Sequence, residues 1–246
     1  MDAFWLSSGI DLNMRTYEVI GTGYQVGMLE LVLNSCTTNE IHSFSSNKSH
    51  LKYISHQTAV NKHLNLAQKK DNYARSVAGF SVATWTLGIG DRHPDNIMIH
   101  QDGTLFHIDF GHFLGNFKEK DIGGLVKWKR ERTPFVFTAA MKYCIEGKLN
   151  GNEQKRAFAQ FVRWLFSAYC EIRVRYKFFL NLLLLMVPSQ MPELITESDV
   201  AYFREILRFD LTDAESIAAH VEQTLKLCLS DKNKKFDDMI HKIHHR

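Results

Sequence analysis

Residues 88–113 read GIGDRHPDNIMIHQDGTLFHIDFGHF. The stretch crowds aspartates, histidines, an asparagine and an arginine between apolar runs. Asp102-Gly103 is the strongest short-range signal of a two-residue hairpin turn, whose central residues both take positive φ. The flanking IMIHQ and TLFHI are rich in β-forming residues. A turn at 102–103 places Ile97 opposite Ile108 and, one step on, Asn96 opposite Asp109. Side chains that face each other across an antiparallel pair lie about 4.5–5.5 Å apart at Cβ. Two oxygen-bearing side chains at that separation can share one small hard cation, magnesium binding oxygen at about 2.0–2.1 Å. The expectation is a hairpin that presents Asn96 and Asp109 to a metal. Spacing alone fits an ordinary surface hairpin with polar ends equally well.

The flanks add weight. DRHPDN precedes the first strand and DFGH follows the second. An Asp-Phe-Gly after a strand, with an upstream Asp and Asn in a loop, is the arrangement kinases use around magnesium and the transferred phosphate. Ordinary protein kinases read His-Arg-Asp in that loop, whereas this chain reads Asp91-Arg92-His93. That reversed order, with GIGDRH in front and LFHIDFGHF behind, resembles the phosphoinositide 3-kinase family. The resemblance extends to GIDLNMRTYEVIGTGYQVGMLELVLNS at 9–35, KRERTPFVFT at 129–138 and MPELITESDVAYFREIL at 191–207. A histidine after Asp-Phe-Gly and a basic segment ending in KRER look most like class I members. Class II members typically carry Lys there, and class III members Tyr.

The resemblance implies an α+β chain: a protein-kinase-like carboxy-terminal lobe, mostly helical, with a catalytic β-hairpin, preceded by the last strands of an amino-terminal lobe. It implies the end of that first lobe and the hinge at 1–33, and the second lobe at 34–246. Within the latter it implies a catalytic loop at 88–96, the Asp-Phe-Gly segment at 109–111, an activation loop at 112–134 and carboxy-terminal helices at 152–246. Glu30, Leu31 and Val32 then form the hinge, backbone groups of Glu30 and Val32 bonding adenine. An apolar strand has the same composition. Asn96 and Asp109 are implied to hold Mg2+ bridging the ATP phosphates, His93 to meet the γ-phosphate, and Asp91 to orient or deprotonate the attacking hydroxyl. Arg92 reads as an anchor of the loop. His112 is a second candidate base, since a histidine with a pKa near 6.5 takes a proton near neutral pH. Met98 and Ile108 match family positions lining the adenine pocket, although alternation in the expected register puts them on opposite faces. His100 and His107 read as structural.

The segment KEKDIGGLVKWKRER carries the substrate argument. Lys118, Lys120, Lys127, Lys129, Arg130 and Arg132 stand against Glu119, Asp121 and Glu131. Phosphorylated inositol headgroups are polyanions, and anionic lipid surfaces attract basic segments at about 1 kcal/mol per residue. A solvated charged face has the same composition. The run exceeds the class I pattern in length, DIGGLV splitting its two basic clusters.

Composition fits a globular domain. The net charge of +3 over 246 residues gives no argument for nucleic acid. Cys36, Cys144, Cys170 and Cys228 form no Cys-x-x-Cys pair, which suits a reducing compartment. The amino terminus has no basic region before an apolar run and so no signal-peptide pattern. The apolar run FFLNLLLLMV at 178–187 is shorter than the roughly 20 residues of a membrane span and reads as a buried core helix. Residues 17–33 read as strands broken by glycines, 72–87 as a helix through Tyr73, Val77, Phe80 and Thr84, 115–134 as a loop, and 152–187 as two helices. Thr212 with Glu215 suggests a capping box for a helix reaching about Leu229. The tail KKFDDMIHKIHHR could touch lipid through Phe236, Met239 and Ile240 or pack on the core.

No glycine-rich phosphate loop or strand lysine precedes the hinge, the first lysine being Lys48. The expectation is therefore a carboxy-terminal piece of a kinase domain. Three classes stay open: a lipid kinase acting on the inositol 3-hydroxyl of phosphatidylinositol or its phosphates, a related protein kinase, and a non-catalytic lobe that binds partners. The first implies ATP and Mg2+ as cofactors, phosphoinositides at a membrane surface and a regulatory subunit as partners, and a cytoplasmic protein recruited peripherally to membranes.

Overall fold

The computed structural model describes residues 1–24, 26–42, 48–116, 119–121, 127–129, 133–147, 151–189 and 191–230, with backbone only at 119–121 and 127–129. Among them the order is α1 (Asp2–Ser7), β1 (Val19–Gly23), β2 (Val26–Leu29), β3 (Ser35–Thr37), α2 (Thr38–His42), α3 (Ser49–Val60), α4 (Leu66–Thr86), β4 (Ile97–His100), β5 (Leu105–His107), β6 (Glu119–Asp121), β7 (Lys127–Lys129), α5 (Ala139–Glu146), α6 (Gly151–Val174), α7 (Tyr176–Met186), α8 (Ala201–Ile206) and α9 (Ala214–Ser230). The fold is α+β and mostly helical. The strands form a β1-β2 hairpin, a β3-β4-β5 sheet and a β6-β7 pair, the last inside the segment expected to be loop.

The centre of the core is α4. Its stripe of Tyr73, Val77, Phe80 and Thr84 is buried. The helix starts six residues earlier than expected because Asn65 and Gln68 cap it reciprocally. The Gln68 N–H donates to Asn65 Oδ1 and the Asn65 N–H to Gln68 Oε1, each at 2.9 Å. Trp85, near its other end, stacks on Tyr169 of α6 with ring centroids 4.5 Å apart. The Trp5 indole N–H donates to the Ala168 carbonyl at 3.0 Å, seating α1 on the same helix.

The hairpin register differs from expectation by one residue. Ile97 lies opposite His107, Met98 opposite Phe106 and Ile99 opposite Leu105. The connection is a three-residue loop, 101–103, closed by the His100 N–H on the Thr104 carbonyl and the Gly103 N–H on the His100 carbonyl, both at 2.9 Å. Of the Asp-Gly pair only Gly103 has positive φ, 93°, as in a turn followed by a left-handed residue. Asp102 instead spends its carboxylate on the turn. It accepts the Thr104 N–H at 2.9 Å and hydroxyl at 2.7 Å, and pairs with Arg15 at 2.6 Å. A slip of one residue exchanges the faces of a strand. Ile97, Ile99, Leu105 and His107 therefore face α4, His107 stacking on Phe80 at 5.1 Å. Met98 and Ile108 come to share the opposite face, which removes the conflict that alternation posed.

Burial alone would raise the Asp102 carboxyl, but hydrogen bonds from His100 and from Thr104 hold it well below the usual carboxylate range. A depressed carboxyl stabilises the fold above the unfolded pKa of about 3.9, and that stability is lost as pH falls towards the folded value. Asp102→Asn should therefore cost on the order of 1–2 kcal/mol at pH 7, allowing for partial exposure of the pair, and progressively less below about pH 4. Urea unfolding at pH 7 and pH 3 checks this, and a pH-independent difference would remove the charge from the explanation.

Two helical expectations are corrected. Only Phe179 and Leu183 of α7 are buried, while Phe178, Leu182 and Leu185 are exposed. These three sit at i, i+4 and i+7, one stripe of a helix that packs on its other side. In α9 the cap is Asp213 rather than Thr212, its carboxylate accepting the Ser216 N–H at 2.8 Å and hydroxyl at 2.6 Å. The charged acceptor lies one residue nearer the first turn. No helix among the described residues is long and apolar enough to cross a membrane. The tail from residue 231, with Phe236, Met239 and Ile240, lies outside the described residues.

Candidate active site

The end of α4 builds the site. Gly88, at φ 57°, turns the chain out of the helix, the usual task of a glycine past a helix end. Residues 87–90 then run beside 112–115. The Leu114 N–H donates to Leu87 O at 2.7 Å, the Gly115 N–H to Gly88 O at 3.2 Å and the Gly90 N–H to His112 O at 2.9 Å. The ring of Tyr202 of α8 approaches both glycines closely, its hydroxyl donating to Trp85 O at 3.0 Å. The loop bearing Asp91 and the segment bearing His112 are thus held as neighbours.

Arg92 locks this arrangement. Its guanidinium donates to the Gly90 carbonyl at 2.8 Å, to the Ile108 carbonyl at 2.7 Å and to the Asp109 carbonyl. One planar fork binds both flanks of the hairpin, a geometry Lys cannot supply. Asn96 is 6% exposed, and its Nδ2 donates to Asp91 O at 3.0 Å. Asn96 faces Ile108, whose N–H donates to Asn96 O at 3.1 Å. The expected direct pairing of Asn96 with Asp109 is therefore corrected, a consequence of the three-residue loop. Asp109 lies just beyond the ladder, exposed and at φ 57°.

The chemistry of this donor set fits magnesium. With Nδ2 committed to Asp91, the Asn96 side chain offers Oδ1 as an acceptor, and Asp109 offers an exposed carboxylate. Both are hard oxygen donors of the kind Mg2+ takes together with water and phosphate oxygens. His93 turns Nδ1 back on its own loop, accepting the Asp95 N–H at 3.3 Å. Asp91, Asp109, Leu114 and Glu193 are four of the seven non-glycine residues with positive φ among the described residues. Such conformations cost on the order of 1–3 kcal/mol each and gather where surroundings over-determine them, at active sites in particular.

Two side chains at the site were not anticipated from the sequence. Glu193 accepts from His112 Nδ1 at 2.6 Å and from the Phe113 N–H at 2.7 Å. Tyr17 lies beside Asp109. Burial raises its phenol above the usual value, against the Arg92 cation and a backbone hydrogen bond from Asp109. Neither had a local signal, because each acts across a long span of chain.

Glu30, Leu31 and Val32 follow β2. The Glu30 N–H donates to Glu18 O at 2.8 Å and the Val32 carbonyl accepts from the Ser35 hydroxyl at 2.6 Å. Met98 and Ile108 are both half-buried. Lys118, Arg130 and Arg132 lie outside the described residues, as do the side chains of Lys120, Lys127 and Lys129, whose backbones form β6 and β7. A separate cleft of about 1110 Å³, lined in part by Lys48, Lys70, Tyr143 and Trp164, shares no lining residue with this site.

The family model described as phosphatidylinositol 3- and 4-kinase matches residues 45–196, more than half of the chain. Phosphatidylinositol 3-kinase 1 of Dictyostelium discoideum is 37% identical over 98% of this chain and 15% of its own length. Phosphatidylinositol 3-kinase 2 of the same organism is 40% identical over 98% of this chain and 13% of its own length. The phosphatidylinositol 4-phosphate 3-kinase C2 domain-containing subunit alpha of Pongo abelii is 37% identical over 99% of this chain and 14% of its own length. The chain thus spans about a seventh of the length of these relatives.

Proposed function

Because this chain belongs to the phosphatidylinositol 3- and 4-kinase family, we propose that it carries the phosphoryl-transfer half of a lipid kinase site acting on the inositol 3-hydroxyl of phosphoinositides. The observation that supports this most is the Arg92 clamp, which ties the loop of Asp91, His93 and Asn96 to the Asp109 backbone. Phosphoryl transfer asks for positioning and charge neutralisation more than for covalent chemistry. Asn96 Oδ1 and the Asp109 carboxylate would hold Mg2+, which would supply neutralisation of the ATP phosphates. His93 donates towards the γ-phosphate, its Nδ1 being occupied by its own loop. His112 takes the proton of the attacking hydroxyl, and Asp91 orients that hydroxyl. Glu30 and Val32 bond adenine through the backbone, between an apolar wall of Met98 and Ile108 and the Leu31 segment. The chain acts at membrane surfaces in the cytoplasm, with a regulatory subunit as a further partner.

The basic segment reads the headgroup in this proposal. The test is ATP-dependent phosphorylation of phosphatidylinositol, its 4-phosphate and its 4,5-bisphosphate by the full-length protein containing this chain, with the ring position of the product determined. Neutralising Lys129, Arg130 and Arg132 together should lower turnover of the two phosphorylated lipids about tenfold or more while sparing phosphatidylinositol. Each charge-assisted contact to phosphate is worth about 1.5–3 kcal/mol. The loss should be larger at low ionic strength, where screening is weaker. Equal loss on all three lipids would make the segment a general membrane contact, and phosphorylation of protein alone would replace the lipid reading altogether.

A further inference from the structure

The candidate base does not stand by itself. Glu193, on the turn after α7, reaches back across the chain to His112. One carboxylate oxygen lies 2.6 Å from His112 Nδ1, and the other accepts the Phe113 N–H at 2.7 Å. The Glu193 backbone is at φ 69°, a left-handed conformation that carries strain in any residue with a Cβ. Its carbonyl accepts from Asn116 Nδ2 at 3.3 Å, and the next residue, Leu194, is fully buried with its N–H on Met191 O at 3.0 Å. A strained, anchored backbone aims this carboxylate at one imidazole.

We propose that Glu193 is a positioning residue that fixes the orientation and tautomer of His112, leaving Nε2 as the free base for the inositol hydroxyl. An ionised carboxylate can only accept. Since Glu193 already accepts the Phe113 N–H through one oxygen, the other must take a proton carried on Nδ1. The unprotonated Nε2 then points away from Glu193 and holds the lone pair that accepts the substrate proton. The same logic governs the aspartate behind the histidine of serine hydrolases, where an amide in place of the carboxylate leaves the wrong tautomer. The inference deepens the lipid-kinase reading and rests on it for the role of His112. The tautomer claim itself stands on contacts within this chain.

Nitrogen-15 NMR of the full chain reads the tautomer directly. With 12 histidines present, the His112 signals are assigned by their loss in His112→Gln. The expected result is a neutral His112 with a protonated Nδ1 and a bare Nε2. In Glu193→Gln and Glu193→Gly the two tautomers should mix, and Glu193→Asp should restore the original one in part. Glycine suits a left-handed φ, which offsets the lost acceptor of the Phe113 N–H, so Glu193→Gly should melt close to the parent chain, which separates lost positioning from lost folding. Turnover in Gln and Gly variants should fall about a hundredfold in kcat with the KM for ATP within about twofold, and recover in part with Asp. A His112 tautomer indifferent to Glu193→Gly overturns the inference, as does a turnover loss matched by a lower melting temperature. A tautomer shift with unchanged turnover sustains the positioning and removes His112 from the reaction. A full-length protein that transfers no phosphate refutes the functional reading, and the NMR result alone then decides the inference.

Discussion

Asp109→Asn should lower phosphoryl transfer by at least about 10²–10³-fold, the cost of losing one well-placed group that stabilises transition-state charge. The replacement keeps an oxygen of similar size but removes the negative charge that, in the proposed site, would hold a cation against the phosphates. It should leave the fold alone, for two structural reasons. Asp109 is exposed, and Arg92 grips its backbone carbonyl rather than its carboxylate. Its φ of 57° is tolerated by Asn as well as by Asp. The measurement is turnover of the full-length protein with a melting curve beside it. Near-normal turnover would take Asp109 out of the mechanism, and a large fall in melting temperature would show that the carboxylate has a structural role as well.

Gly88→Ala should destabilise the fold by about 2–5 kcal/mol. A left-handed φ costs a residue with a Cβ about 1–2 kcal/mol, and forcing an atom into a filled space costs about 1–3 kcal/mol more. The added Cβ would lie 2.4 Å from the Gly115 backbone nitrogen and 2.5 Å from the Tyr202 ring. A ring can swing aside, but the paired backbone of Gly115 cannot move without parting the segments that carry Asp91 and His112. Urea unfolding should show a lower midpoint at an unchanged slope, and turnover should fall even under conditions where the variant remains folded. Tyr202→Ala added to Gly88→Ala should recover only the share of the loss that comes from the ring. Full recovery would show that the backbone approach is not the limiting contact.

The parts of the site that were legible beforehand were those encoded over a few residues. The Asp-Gly pair announced a hairpin, the alternation around it announced strands, and the three or four residue spacing of Tyr73, Val77, Phe80 and Thr84 announced the helix leading into it. The motif order Asp91-Arg92-His93, Asn96, Asp109 and His112 pointed to kinase chemistry. Helix limits were less legible, because Asn65 and Asp213 compete with their neighbours for a capping role that only the folded turn decides.

Sequence by itself determined the hairpin, the helix leading into it and the motif residues around them, since propensity, periodicity and turn chemistry act between near neighbours. The tertiary structure alone decided the register, because the Asp102 carboxylate was free either to follow the turn or to brace it, and Arg15 and Thr104 drew it to the second. That one-residue choice moved Asn96 off Asp109 and brought Met98 and Ile108 onto one face. Only the tertiary structure brought Glu193 to His112, 81 residues away in the chain. Such a contact leaves no local trace: loop closure makes it costly until the core has formed, and packing around Leu194 and Tyr202 then determines which carboxylate arrives.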